Sequence, residues 1–147
     1  ALTAGCIRMT EVLARDGEGA TRLLRVTVRG ARDDAGARRI AKTVLNSPLI
    51  KTMVHGADPN VGRILMAIGK CIDCEIATSK TSASINGFDV VRNGERVDFD
   101  DGLVRAALAT SIIDLMVEVG VGMASATAYG CDLSKGYIAE NAAYYSS

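Results

Sequence analysis

Residues 23–28, Leu23-Leu24-Arg25-Val26-Thr27-Val28, and residues 34–46, DAGARRIAKTVLN, decide how the chain folds. In the first, apolar side chains with Arg25 and Thr27 interleaved predict a half-buried strand that ends at Gly30. In the second, Ile40, Val44 and Leu45 fall on one side and Pro48 lies just beyond, which predicts a helix from about Asp34 to Asn46. Upstream, Leu2, Cys6, Met9 and Leu13 repeat at three-to-four spacing, so residues 2–15 read as an amphipathic helix closed by Asp16-Gly17. Downstream, Ile50 to Val54 reads as a short strand. The turn made of Gly56, Asp58, Pro59 and Asn60 then caps a helix over residues 61–70. From Glu75 to Phe99 the pattern becomes short β segments with turn signals at Asn86-Gly87 and Asn93-Gly94, a hairpin-rich flap. Asp100 and Asp101 favour the start of a helix through Leu103, Ala107 and Leu108. An apolar strand around residues 112–119, a last strand and a short helix complete the chain. Helices and strands mix without a strict βαβ rhythm, so the expectation is an α+β layered fold with residues 1–147 as a single domain.

Composition narrows the function classes. Of the 147 residues 48% are hydrophobic and 23% charged, enough apolar side chains to build one core. Seventeen basic side chains balance seventeen acidic ones with no long block of either sign, which argues against a nucleic-acid partner. The longest apolar stretches are interrupted by Asp114, Glu118 and glycines, so no membrane span is expected. Ala1-Leu2-Thr3 opens with no basic segment followed by a greasy one, so no secretory signal is expected. Cys6, Cys71, Cys74 and Cys131 are irregularly spaced and read as reduced thiols, which points to the cytoplasm. Cys71-x-x-Cys74 lacks a second pair of soft ligands, and His55 is the single histidine. Neither a metal site nor a histidine-based hydrolase is therefore expected within the chain.

Three segments are dense enough to carry chemistry. In Asp16-Gly17-Glu18-Gly19-Ala20-Thr21 two glycines flank one acid at a helix-to-strand junction, where the backbone can approach a ligand closely and the carboxylate can hold an amino group. The same residues also read as a glycine helix cap with a solvated glutamate. Asp58-Pro59-Asn60-Val61-Gly62-Arg63 can present N–H groups to an anion and pair Arg63 with a carboxylate, or simply cap a helix. At the C-terminal end, Tyr137, Tyr144 and Tyr145 offer apolar area that can dock the tail. Docking would bring the Asn141 amide and the Ser146 hydroxyl onto the body, whereas an undocked tail frays.

Taken in order with Ser47-Pro48-Leu49-Ile50-Lys51-Thr52, Ile85-Asn86-Gly87, Gly130-Cys131-Asp132-Leu133-Ser134 and Asn141-Ala142-Ala143-Tyr144, these segments resemble the β chain of the bifunctional ornithine acetyltransferase, or glutamate N-acetyltransferase, family. The resemblance runs from near Cys6 to Ser146. It implies an αββα layered sandwich and a precursor that cleaves itself before a threonine, which becomes the nucleophile. It further implies ping-pong acetyl transfer from N-acetylornithine to glutamate, with no cofactor and no metal. The implied partners are the α chain of the same precursor and a second αβ pair, giving a heterotetramer.

By this resemblance Glu18 is the catalytic acidic position and also binds substrate, while Asn141 and Ser146 bind substrate. The family more often carries threonine where Ser146 stands, so either Ser146 or Ser147 faces inward, and Val61 replaces a common tryptophan. Thr3, inside the first helix, does not suit the nucleophile. The nucleophile is expected on a segment preceding Ala1, so the chain alone is expected to be inert. Two other readings stay open: a related self-processing amidohydrolase that passes the acyl group to water, and a non-catalytic module on the same fold.

Overall fold

The computed structural model describes residues 1–142. Its centre is a mixed six-stranded sheet in the order β4-β3-β2-β5-β1-β6. The strands are β1 (Leu23–Ala31), β2 (Ser82–Ile85), β3 (Phe88–Arg92), β4 (Glu95–Arg96), β5 (Ile112–Glu118) and β6 (Ala124–Cys131). β1 runs parallel to β5 and antiparallel to β6, and β2 is antiparallel to β5. The pairing aligns Leu24 with Ile113, Val26 with Leu115 and Val28 with Val117, all buried. Because side chains alternate along a strand, the same register puts Arg25, Thr27, Asp114 and Met116 on the opposite face.

Four helices, α2 (Asp34–Leu45), α3 (Pro48–His55), α4 (Val61–Gly69) and α5 (Asp101–Leu108), close the core against the apolar face. In α2 the buried residues Ala37, Ile40, Ala41, Val44 and Leu45 form one stripe. The Asp33 carboxylate starts α2 by accepting the Gly36 N–H at 2.7 Å. Asn60 and Asp100 cap α4 and α5 in the same way, through the N–H groups of Arg63 and Leu103. On the polar face lies α1 (Leu2–Arg15), which buries none of its residues and reaches the sheet through Glu11, 3.2 Å from the Arg25 guanidinium. Arg25 also grips Asp114 with two nitrogens, at 2.5 and 2.7 Å. A last helix, α6 (Lys135–Ala142), follows β6.

Three expectations need correction. Residues 50–54 are helical, within α3, and not a strand. Pro48 occupies the first helical turn, and Ile50, Met53 and Val54 are buried together at helical spacing, so packing overrides the β-branched look of the run. The hairpin region is no separate flap, since β2 pairs with β5 and extends the main sheet. Its turns are as read, with positive φ at Asn86, Gly87, Asn93 and Gly94. Finally, β1 does not stop at Gly30 but runs through it to Ala31, with a register shift between Val28 and Ala31.

Gly30 takes φ +70°, and a Cβ there would lie 1.6 Å from the Glu118 carboxylate, while its carbonyl accepts the Val121 and Gly122 N–H groups. Gly30→Ala is expected to cost about 1–3 kcal/mol, most of it backbone strain because the Glu118 end can swing away. Urea unfolding should show a lower midpoint at an unchanged slope; an unchanged midpoint would mean that the bulge relaxes freely.

Candidate substrate-binding site

The glycine-flanked acid loop and the C-terminal helix meet. α1 ends at Asp16, and residues 17–20 form a turn closed by the Ala20 N–H on the Gly17 carbonyl at 2.9 Å. Neither glycine is the helix cap: Asp16 is, with φ −86°. Both glycines instead permit close approach. A Cβ on Gly17 would sit 2.6 Å from the Cys131 sulfur, and one on Gly19, at φ +64°, would sit 2.4 Å from the Tyr137 nitrogen. Glu18 lies between them and is exposed.

Across 123 positions of sequence, the Asn141 amide donates to the Glu18 carboxylate at 2.9 Å and to the Tyr137 carbonyl of its own helix at 2.9 Å. Two of the three site residues expected from the sequence are thus neighbours. Ser146, with Ser147 and the anchors Tyr144 and Tyr145, lies outside the described residues. Tyr137 is 44% exposed, so its backbone, and not a buried ring, seats α6.

The pair is held by a buried polar clamp. The fully buried Asp132 carboxylate accepts the Thr21 N–H at 2.8 Å, the Thr21 hydroxyl at 2.5 Å, the Arg22 N–H at 2.9 Å and the His55 ring at Nδ1, 2.7 Å away. Burial pushes the Asp132 carboxyl up, but these four hydrogen bonds together outweigh it and hold the group below its ordinary value of 3.8. Two residues on, the Ser134 hydroxyl donates to the Gly19 carbonyl at 2.5 Å and accepts the Tyr137 N–H at 3.1 Å, which starts α6. Arg22 reaches the Val54 and His55 carbonyls at the end of α3, and Lys51 donates to the Cys131 carbonyl at 3.1 Å. The loop bearing Glu18, the end of β6 and the end of α3 are therefore one hydrogen-bonded unit.

The sequence reading missed Asp132 and His55 as parts of this unit. A visible signal was present in Cys131-Asp132-Leu133-Ser134, an acid at a strand end followed by a helix-capping hydroxyl. His55, the last residue of α3, gave no such signal. The second dense segment has no comparable role: Arg63 bridges α3 and α4 by donating to the Leu49 carbonyl and the Thr52 hydroxyl, and among the described residues it pairs with no carboxylate. Among the described residues no group of three or more His, Cys, Asp or Glu side chains is placed to hold a metal ion.

A mixed sheet with helices packed on its apolar face and an acid–amide pair strapped together at its rim defines a layered α+β protein with a small polar site. Its sequence matches the ArgJ family over residues 1–146, and the chain belongs to that family. It is 44% identical to glutamate N-acetyltransferase Oat2 of Streptomyces clavuligerus over 98% of this chain and 38% of that protein. It is likewise 44% identical to the arginine biosynthesis bifunctional protein ArgJ of Oceanobacillus iheyensis, over 94% of this chain and 34% of that one. The crystal structure of the arginine biosynthesis bifunctional protein argJ from Bacillus halodurans superposes with a TM-score of 0.92 at 35% identity, covering 97% of this chain and 67% of that one. The chain spans under two-fifths of the length of these two curated relatives.

Proposed function

We propose that the chain forms the C-terminal part of a glutamate N-acetyltransferase that takes an acetyl group from N-acetylornithine and passes it to glutamate by a ping-pong mechanism. The observation that carries this reading is the contact between the Glu18 carboxylate and the Asn141 amide, made by two segments far apart in sequence and locked by Asp132 and Ser134. An anionic acceptor beside a neutral amide suits an α-amino acid: the substrate ammonium takes the place of the Asn141 N–H on the Glu18 carboxylate, and the N–H so released meets the substrate's carboxylate or acyl oxygen. The name of the Streptomyces clavuligerus relative, glutamate N-acetyltransferase, supports glutamate as the acetyl acceptor.

In this reading Glu18 is the catalytic acid position and a substrate contact, and Asn141 and Ser146 complete the grip on the amino-acid end. The nucleophile is a threonine outside the chain, freed at an N-terminus by self-cleavage of a precursor. Its acyl ester lets ornithine leave before glutamate enters. Glu18 and Asn141 are both exposed, which suits a site whose remaining wall comes from elsewhere. The α chain of the same precursor supplies that wall, and two αβ pairs form a heterotetramer. No described helix is long and apolar enough to cross a membrane, and the metabolism named for the relatives suits the cytoplasm.

The test uses full-length protein carrying this chain, with initial rates measured while N-acetylornithine and glutamate are both varied. Parallel double-reciprocal lines and an acetylated fragment beginning with threonine, found by intact mass, are expected. Acetate release that glutamate does not alter would overturn the transferase reading and favour the amidohydrolase.

A further inference from the structure

A second feature lies on the helical side of the sheet. One side of α2, the start of α3 and the end of α4 border an open groove of about 640 Å³ lined by Arg38, Lys42, Thr43, Asn46, Ser47 and Lys70. Arg39, also at its edge, is engaged with Asp73 at 3.8 Å, but among the described residues Arg38, Lys42 and Lys70 have no acidic partner. No acid lines the groove. In a chain of zero net charge this is a local concentration of like charge that repels itself.

Helix dipoles explain only part of it. Lys42 lies in the last turn of α2 and Lys70 caps α4, where cations offset the exposed carbonyls. Arg38 is about two turns before the end of α2, out of that range.

The start of α3 adds a different kind of group. Ser47, its N-cap, is only 4% exposed and lines the groove, yet its hydroxyl makes no capping bond and no other bond among the described residues. That hydroxyl is not among the fully sealed orphan groups, so its small exposed area includes the oxygen, facing the groove. With no partner inside the protein, that oxygen is free to bond a ligand or water in the groove. A hydroxyl and three unpaired cations around one concavity are a donor set for a phosphate-type anion.

We propose that this groove is a binding site for a multiply charged phosphate group, either free or as the phosphate end of a nucleotide, separate from the Glu18–Asn141 site. The test is calorimetric titration of full-length protein carrying this chain with inorganic phosphate, pyrophosphate and ATP at moderate ionic strength. One pyrophosphate per chain is expected, held less tightly as salt rises. Lys42→Glu on the exposed face of α2 should weaken it at least about tenfold, and Ser47→Ala about threefold to tenfold. Because Ser47 makes no capping bond, Ser47→Ala should leave Tm close to that of the parent, which separates lost binding from lost folding. Tighter binding of ATP than of pyrophosphate identifies the nucleotide as the source, and equal binding identifies the phosphate end alone. Absence of saturable pyrophosphate binding up to about 1 mM, or binding that neither substitution weakens, overturns the proposal.

Discussion

Asp132→Ala is expected to lower stability by about 3–5 kcal/mol at neutral pH, the largest single loss available outside the apolar core. The substitution removes the acceptor for four donors at once and leaves the Thr21 and Arg22 N–H groups in partly buried surroundings without a partner. The deficit should depend on pH in one direction. The folded-state carboxyl lies below its ordinary value of 3.8, so its contribution is full above about pH 4 and is lost as pH falls through the depressed folded value. Thermal melts of parent and variant should stay far apart from pH 7 down to about 4 and converge in stronger acid. A gap that does not narrow at all as the pH is lowered below about 4, down to acid unfolding of the parent, would mean that shape, and not charge, makes Asp132 matter.

Glu18→Gln is the second large effect, on activity and not on folding. The substitution keeps an acceptor oxygen for the Asn141 amide, so the rim contact and the turn of residues 17–20 should survive. What disappears is the negative charge offered to a substrate ammonium. A hydrogen bond to a charged group is worth about 1.5–3 kcal/mol, so kcat/KM should fall roughly ten- to hundredfold with Tm unchanged. Full turnover in the variant would make Glu18 an ordinary turn residue and leave Asn141 with a merely structural partner.

The elements most legible in the sequence were those whose local signals agree with their packing. α2 has an aspartate cap, an apolar stripe and a following proline, and it appears almost where expected. The Asn-Gly turns likewise identify their hairpins, because few other residues tolerate positive φ at both central positions. Where local and tertiary demands differ, the reading failed. Residues 50–54 look β-like, yet the helix wins because three of its apolar residues reach the core together. Glu18 and Asn141 stood out through glycine flanks and a resemblance, whereas Asp132 did not. A lone acid at a strand end announces nothing about the four donors that converge on it from 77 to 111 positions away, and that convergence is a property of topology.

The clamp also sets an order of events for the newborn chain. Its bonds join residues 19–22 to residues 132–134, and the rim contact joins residues 18 and 141, closures of 111, 115 and 123 positions for Thr21–Asp132, Gly19–Ser134 and Glu18–Asn141. Such long-range closures carry a large entropic cost until intervening elements have condensed, and they arise late on the folding route. During synthesis the acid loop leaves the ribosome well before the strand and helix that fasten it. For that interval its two glycines leave it unusually free. The site is thus assembled from segments far apart in the order of synthesis, and a ribosome that stalls before residue 132 releases a product with the acid but without the means to aim it.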